Sequence, residues 1–346
     1  MGWLIFGCAA AVLIIACAGI FALAWGVDRS FFGKRYEGDP RFKYFTADDF
    51  DGLETEPVEF ASGNNTLRGC IYRCAEAPRA LVIFVHGFGA GHLAYTTEIC
   101  ALARAGFCVL AYDATGCGKS DGKDMRGFDQ GPRDLSAALR FARSETRFAG
   151  MPVLLVGHSW GAFTVLNTLP QCEGVVCGAV AMCGFISCAD SLARSMAMRY
   201  KILSPLRLPV ACCLHLIQFA RFRKDANHNS LRAFAQTDIP VLLLYGERDA
   251  VIPYPANGAV IAKRFAQKSS VTFQSFPTKG HNVYLTERAE RLMHEQIGAA
   301  EKGAHADPAH AQTYFAAIDW KAITEEDTAV MEQIVRFLYS CSGKGE

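Results

Sequence analysis

Runs of apolar residues recur along the chain from its first quarter onward, at residues 81–85, 108–112, 153–156, 175–182 and 241–245. Runs of four to eight such residues, bounded by glycine, proline or polar clusters, predict strands buried on both faces, as in a parallel sheet. Residues 271–276 predict a last strand. Between these runs lie helix-length segments: one through Ile99 and Leu102, one at about 130–143, one starting after residue 161, and a last one at about 325–338. Upstream, residues 57–60 and 67–72 flank Gly63-Asn64-Asn65 and predict an opening hairpin. Strands separated by helices predict an α/β protein with a mostly parallel, doubly wound sheet.

The amino-terminal pattern is of another kind. Residues 1–27 contain no charged side chain and are long enough to cross a hydrocarbon core of about 30 Å as a tilted helix. Trp3 and Trp25 lie near its ends, where indoles favour the interface. Ala22-Leu23-Ala24 resembles a signal-peptide cleavage site, but no basic segment precedes the run and the run is longer than a signal core. An uncleaved single-pass anchor is therefore expected. Arg29, Lys34, Arg35, Arg41 and Lys43 all follow the run, which places the body of the protein on the cytoplasmic side; a secreted or extracytoplasmic domain is the alternative. Residues 28–55 read as a polar tether, leaving residues 56–346 as the folded domain.

Composition narrows the function. The 346 residues carry a net charge of +1 with both signs interspersed, unlike the basic footprint of a nucleic-acid binder. Fourteen cysteines are present. Several, such as Cys100, Cys108 and Cys183, sit inside apolar runs, where a reduced thiol acts as a small hydrophobe, and none forms the paired spacings of a zinc site. Reduced thiols in a reducing compartment are expected, with no metal.

The chemistry centres on Gly157-His158-Ser159-Trp160-Gly161, which follows one apolar run and opens a helix. A strand turning sharply into a helix forces the central serine into a strained conformation with its hydroxyl clear of the sheet, and the glycines permit the tight approach. The run at 81–85 ends in His86-Gly87-Phe88-Gly89-Ala90-Gly91. The backbone N–H groups of Phe88 and Trp160 are candidates for holding the oxyanion that forms when a carbonyl is attacked. A glycine-rich turn without a ligand is the plainer alternative. A phosphate loop is disfavoured, since Gly118-Lys119-Ser120 lacks the preceding glycine of that motif. Asp249 follows the strand at 241–245, and His281 follows the last strand just after Gly280. Imidazole there can take the serine proton, and a carboxylate behind it fixes the tautomer. Glu247 is the alternative acid. His86, His92 and His158 read as structural, Asp113 as shaping its own turn, and the Trp160 indole as narrowing the acyl entrance.

Together His86-Gly87-Phe88-Gly89, Asp113-x-x-Gly116-x-Gly118-x-Ser120, Gly157 to Gly161, Gly246-x-x-Asp249-x-x-x-Pro253 and Gly280-His281 resemble the α/β-hydrolase superfamily. The resemblance spans residues 57–284 and is to the branch of monoacylglycerol-lipase-like, lysophospholipase-like and S33-aminopeptidase-like serine hydrolases. It implies an eight-stranded sheet, no cofactor and an acyl-enzyme at Ser159. It also implies that residues 186–238 form a helical cap, whose apolar stretch at 214–219 could line an acyl pocket, touch the bilayer or fill the cap core. An insertion at about 286–320 departs from the family pattern, and its placement leaves open a role in restricting access or a solvated appendage. The expectation is a membrane-anchored serine hydrolase acting on a carboxylic ester, small-molecule or lipid. An S33-type aminopeptidase is the alternative, although the cap is basic where such an enzyme needs acids. A non-catalytic, membrane-tethered binding module is the alternative of another class.

Overall fold

A computed structural model describes residues 1–74, 76–89 and 91–343. Ala90 of the glycine-rich loop and residues 344–346 of the expected domain lie outside them. The strands are β1 (Glu54–Ser62), β2 (Asn65–Arg73), β3 (Leu81–Val85), β4 (Cys108–Tyr112), β5 (Val153–His158), β6 (Val176–Met182), β7 (Val241–Gly246) and β8 (Val271–Phe276). They form one sheet in the order β1-β2-β4-β3-β5-β6-β7-β8. Pairs β1/β2 and β2/β4 are antiparallel and all later pairs are parallel.

The helices are α1 (Gly2–Phe32), α2 (Thr96–Arg104), α3 (Gln130–Ser144), α4 (Trp160–Thr168), α5 (Cys188–Arg199), α6 (Arg207–Phe222), α7 (Ser230–Phe234), α8 (Gly258–Arg264), α9 (Glu287–Ala306), α10 (Ala311–Ala316), α11 (Trp320–Ile323) and α12 (Thr328–Cys341). The last helix begins later than its apolar pattern predicts. Asp327 accepts from the Ala329 and Val330 amides and so sets the start, while Glu326 is drawn into a bridge with Leu285.

Strands β3, β4, β5 and β7 are buried at every position, which is why they read as continuous apolar runs. Leu154, Leu155 and Val156 are each at most 1% exposed. Burial of one such side chain contributes about 1.5–3 kcal/mol. One face of the sheet packs residues of α3, α4, α7 and α8; the other packs α2 and α12. Because β3 lies between β4 and β5, the chain leaves β3 in one direction and β5 in the other. That topological switch opens a crevice at the carboxyl ends of the strands, the usual place for a site in such sheets.

Two further cores lie off the sheet. The segment between β6 and β7 is helical (α5, α6 and α7) and packs with Phe128, Trp160 and Phe163 above the crevice. Helices α9, α10 and α11 close a small core of Ala300, Ala304, Phe315, Ile318 and Ile323, so the stretch at 286–320 is a packed helical element rather than a solvated one.

The amino-terminal helix is long and apolar enough to cross a membrane, but only its first part is free. Trp3 is 90% exposed and Leu13 65%, whereas Ala24 and Asp28 are fully buried and Phe32 nearly so. The second part of α1 packs along α6. There the Asp28 carboxylate takes both terminal nitrogens of Arg221, at 3.1 and 2.5 Å, and the Gln218 amide at 2.9 Å. The expected tether at 28–55 is accordingly corrected: these residues lie along the domain. Tyr36 bridges to Cys117, Arg35 donates to the carbonyls of Gly118 and Ser120, and Phe42 packs on Phe315 and Trp320. Phe42, Tyr36, Arg35 and Arg41 of the segment thus have partners in the fold, Arg41 lying over the Phe315 ring, which a solvated linker does not offer.

Candidate active site

Ser159 is the residue between β5 and α4, at φ +56° and ψ −115°. A non-glycine residue holds this conformation only when its surroundings impose it. The Ser159 N–H donates to the Met182 carbonyl at 2.8 Å, tying the turn to the end of β6. Gly161 approaches β3 so closely that a Cβ there would lie 1.9 Å from the Val85 carbonyl oxygen, and a Cβ on Gly157 would lie 2.4 Å from that of Gly161. Both glycines are thus required by backbone, not by side chains that could move. Trp160 is the first residue of α4, so its N–H has no partner within the helix and remains available at the turn.

The loop after β3 faces this turn. A Cβ on Gly87 would meet the Tyr95 hydroxyl at 2.5 Å and the Ser159 Cβ at 3.4 Å, placing Gly87 directly over the serine and Phe88 next to it. The Gly87 N–H donates to Tyr95 Oη at 3.1 Å, Tyr95 Oη contacts His158 Nδ1 at 2.9 Å, and His158 Nε2 contacts the His281 carbonyl at 2.9 Å. Burial and then the adjacent His281 hold His158 well below the ordinary histidine value, so its ring is neutral. The carbonyl must accept, so Nε2 donates to His281 and Nδ1 accepts from Tyr95. A relay of three hydrogen bonds therefore joins the Phe88 loop to the His281 loop beneath Ser159.

His281 lies in the loop after β8 and Asp249 in the loop after β7. The His281 Nδ1 is 2.7 Å from Asp249 Oδ2, and Asp249 Oδ1 accepts from the Val251 and Ile252 amides at 2.8 and 2.7 Å. Its side chain is 1% exposed, so the carboxylate is held by three donors in a dry setting. The His281 ring lies 4.7 Å, centroid to centroid, from that of His158, the neighbour of Ser159. Among the described residues no hydrogen bond joins Ser159 Oγ to His281; such bonds are commonly long in unliganded enzymes and tighten with substrate. Glu247, the alternative acid, is exposed and accepts from Ser275 Oγ at 2.7 Å.

Glu290, on the first turns of α9, carries no signal in the sequence beyond its place after a Thr286 cap. Its two carboxylate oxygens accept from the Gly280 and Asn282 amides, each at 2.9 Å, the residues on either side of His281. A Cβ on Gly280 would lie 2.7 Å from both oxygens, so the glycine makes room for the carboxylate.

His86 and His92 are fixed elsewhere. His86 Nε2 accepts from the Ala114 amide at 2.9 Å; His92 Nδ1 and its own amide both meet Asp113 Oδ1, at 2.7 and 2.8 Å, while Asp113 Oδ2 accepts from Lys119. His158, Cys183 and His281 bring donor atoms within 4.8 Å of one another. Both His158 nitrogens are already engaged and burial keeps the Cys183 thiol protonated, so this donor set does not suit a resident metal.

The roof is aromatic. The Phe88 ring packs on Phe31 (5.9 Å), Tyr36 (4.6 Å) and Phe128 (5.5 Å), so the end of α1 covers the loop over the serine. Ser159 is 8% exposed beneath it. The Trp160 indole does not narrow the entrance as expected: it is 1% exposed and its Nε1 donates to the Phe128 carbonyl at 2.9 Å, which turns it into the core. In α6, Leu214 and Ile217 are buried in the cap while Leu216 and Phe219 are 62% and 52% exposed, so the stretch at 214–219 serves both the cap core and an outward face.

Residues 76–212 match the family described as Hydrolase_4, serine aminopeptidase S33, over less than half of the chain. A segment of 96 residues is 30% identical to the monoglyceride lipase homolog of Monkeypox virus; it covers 28% of this chain and 34% of that protein, about a third of the relative's length. Among solved structures, an esterase of Pyrococcus furiosus superposes with a TM-score of 0.61 at 19% identity, over 90% of this chain and all of that one. The ferulic-acid-bound esterase Est1E of Butyrivibrio proteoclasticus gives 0.51 at 16% identity, over 70% and 99% of the two chains. An acylaminoacyl peptidase of Pyrococcus horikoshii gives 0.51 at 15%, over 68% and 38%. At these identities the likeness is one of fold. The chain has the α/β-hydrolase fold: a mostly parallel eight-stranded sheet with a helical segment between β6 and β7, preceded by a long apolar helix.

Proposed function

We propose that the protein is a membrane-anchored serine hydrolase that cleaves a carboxylic ester through an acyl-enzyme. Ser159 Oγ attacks the carbonyl carbon, His281 takes the hydroxyl proton, and Asp249 holds the imidazole in the tautomer that can accept it. The backbone N–H groups of Phe88 and Trp160 stabilise the oxyanion, a contribution of about 2.7–4 kcal/mol for one donor in well-studied cases. His281 then returns the proton to the leaving alcohol, and water repeats the sequence to release the acid. The observation that carries this reading is the 2.7 Å contact between His281 and a buried, triply held Asp249, on loops beside a serine forced to positive φ.

Ester over amide is favoured by the surroundings. The site lies under apolar and aromatic side chains next to a helix fit to enter a bilayer. Of the three cap acids, Asp225 is paired with Arg133 and Asp238 with Lys268, which leaves Asp190, in the first turn of α5, as the one cap carboxylate without an ion pair among the described residues to hold the free amine of an aminopeptidase substrate. The S33 description of the matching family keeps the peptidase as the second reading. A fluorophosphonate probe applied to the full chain and to Ser159→Ala decides the chemistry, and esters of rising acyl length set against aminoacyl amides decide the class. Absence of Ser159-dependent labelling sinks the hydrolase; turnover confined to the amides sinks the esterase.

A further inference from the structure

We infer that the cleft at the foot of α1 binds the phosphate-bearing headgroup of an anionic phospholipid. The cleft encloses about 900 Å³ between the last turns of α1, the β1/β2 turn and the outer face of α3, and none of Ser159, Asp249 and His281 lines it. On α3 the i, i+7 spacing puts Arg133 and Arg140 on one face, and Lys123 and Arg126 come from the loop before that helix. Arg29 reaches the cleft from α1 and Arg221 from α6.

The charge balance favours an anion. Six cations line the cleft against the carboxylates of Asp28, Asp124 and Asp225, six minus three leaving a net +3. Asp28 is taken by Arg221 and Asp225 by Arg133. Asp124 accepts the Arg126 amide at 3.1 Å. Among the described residues Arg29, Lys123, Arg126 and Arg140 enter no ion pair, so four cations face the cleft with unspent charge. Guanidinium groups suit phosphate because they bind two of its oxygens at once. A zwitterionic choline headgroup would bring its own cation into the same field.

Depth along α1 selects a lipid as the source of that phosphate, and this step rests on α1 being the membrane anchor proposed above. Residues 2–19 extend about 27 Å at 1.5 Å per residue, close to a hydrocarbon core of about 30 Å. Trp25 and Arg29 then lie about 8 and 14 Å past residue 20. The headgroup layer is about 5–8 Å thick, so Trp25, the cleft residue nearest the bilayer, sits at its outer edge and marks the cleft's mouth, with Arg29 about 6 Å beyond it. Trp25, 48% exposed, lines that mouth.

The test uses the full chain in neutral detergent micelles, titrated calorimetrically with dihexanoyl phosphatidylglycerol, dihexanoyl phosphatidylcholine and inorganic phosphate. The double variant Lys123→Gln/Arg140→Gln removes two exposed side chains, and a thermal scan checks that it is folded. Arg291→Gln/Arg336→Gln, on exposed surfaces of α9 and α12, removes the same charge elsewhere. Phosphatidylglycerol should bind the parent chain and the remote variant alike and the cleft variant about thirtyfold more weakly, corresponding to about 1 kcal/mol for each basic group. Equal binding to the cleft variant, an equal loss in the remote variant, equal affinity for the choline lipid, or equal affinity for free phosphate would each overturn the proposal. Flotation with phosphatidylcholine vesicles tests the anchor separately. Failure of the parent and the cleft variant to float removes the anchor, while the micelle titration still reports on the cleft.

Discussion

Replacing Glu290 with alanine tests how the base of the site is held. Glu290 is 9% exposed, and its carboxylate spans His281 by accepting from the amides on both sides, each at 2.9 Å. Hydrogen bonds to a charged group contribute about 1.5–3 kcal/mol each, so the pair contributes about 3–6 kcal/mol at most, less whatever water returns to the freed amides. Loop displacement matters more for rate than for stability, since a shift of about 1 Å in a catalytic group costs on the order of 10² in rate. Glu290→Ala should therefore slow fluorophosphonate labelling of Ser159 by about a hundredfold, measured at a temperature where a thermal scan shows both proteins folded. Ester turnover should show the loss in kcat with KM little changed, because Glu290 touches the His281 loop and not the roof of the site. Glu290→Gln should fall between the two, its amide oxygen serving one N–H while its NH₂ faces the other donor. Labelling of Glu290→Ala within about twofold of the parent chain, against the hundredfold expected, would refute the reasoning.

Gly161→Ala places a Cβ at 1.9 Å from the Val85 carbonyl oxygen, and neither atom can move without parting β3 from α4. It should abolish Ser159 labelling, and a folded, labelling-competent Gly161→Ala would contradict the close approach. Arg221→Met strands the buried Asp28 carboxylate and should cost about 3–5 kcal/mol in denaturant unfolding, most of it recovered in Asp28→Leu/Arg221→Met. A single-variant cost below about 1 kcal/mol would show that the pair is not a clamp. Burial, and then the charge of Glu326, raises the folded-state pKa of Glu98, and burial does the same for Glu326. The folded state then holds more protons than the unfolded one above the ordinary glutamate value of about 4.3, so stability is full below it and falls as pH rises through the raised values. Unfolding free energy should decline from pH 5 to pH 8, and Glu98→Gln should flatten that slope; an unchanged slope excludes the pair as its cause.

The sheet was legible because strands buried on both faces leave little room for polar residues, and the loops at their carboxyl ends were legible because glycines bracket them. That is why the loops carrying Ser159, Asp249 and His281 could be expected at the carboxyl ends of their strands. Glu290 was not, since its partners are backbone amides and no residue type announces an amide. The packing of residues 28–55 was hidden for a related reason: Phe42 finds Phe315 and Trp320 some 270 positions away, and a polar, proline-containing segment looks the same whether it lies on a surface or in solvent. The turn of the Trp160 indole into the core depends on the Phe128 carbonyl, contributed by a loop with no regular pattern.

The unbroken course of α1 from Gly2 to Phe32, locked to α6 through Asp28 and Arg221, would make the proposed anchor a lever as well. A helix with an apolar stretch longer than the local hydrocarbon thickness tilts to hide the excess. In a jointed protein that tilt would be absorbed in the linker. Here it would be delivered to the cap and to Phe31 and Tyr36, which rest on the Phe88 ring. With α1 as the anchor proposed above, the thickness of the bilayer around the free end would become a mechanical input to the loop above Ser159.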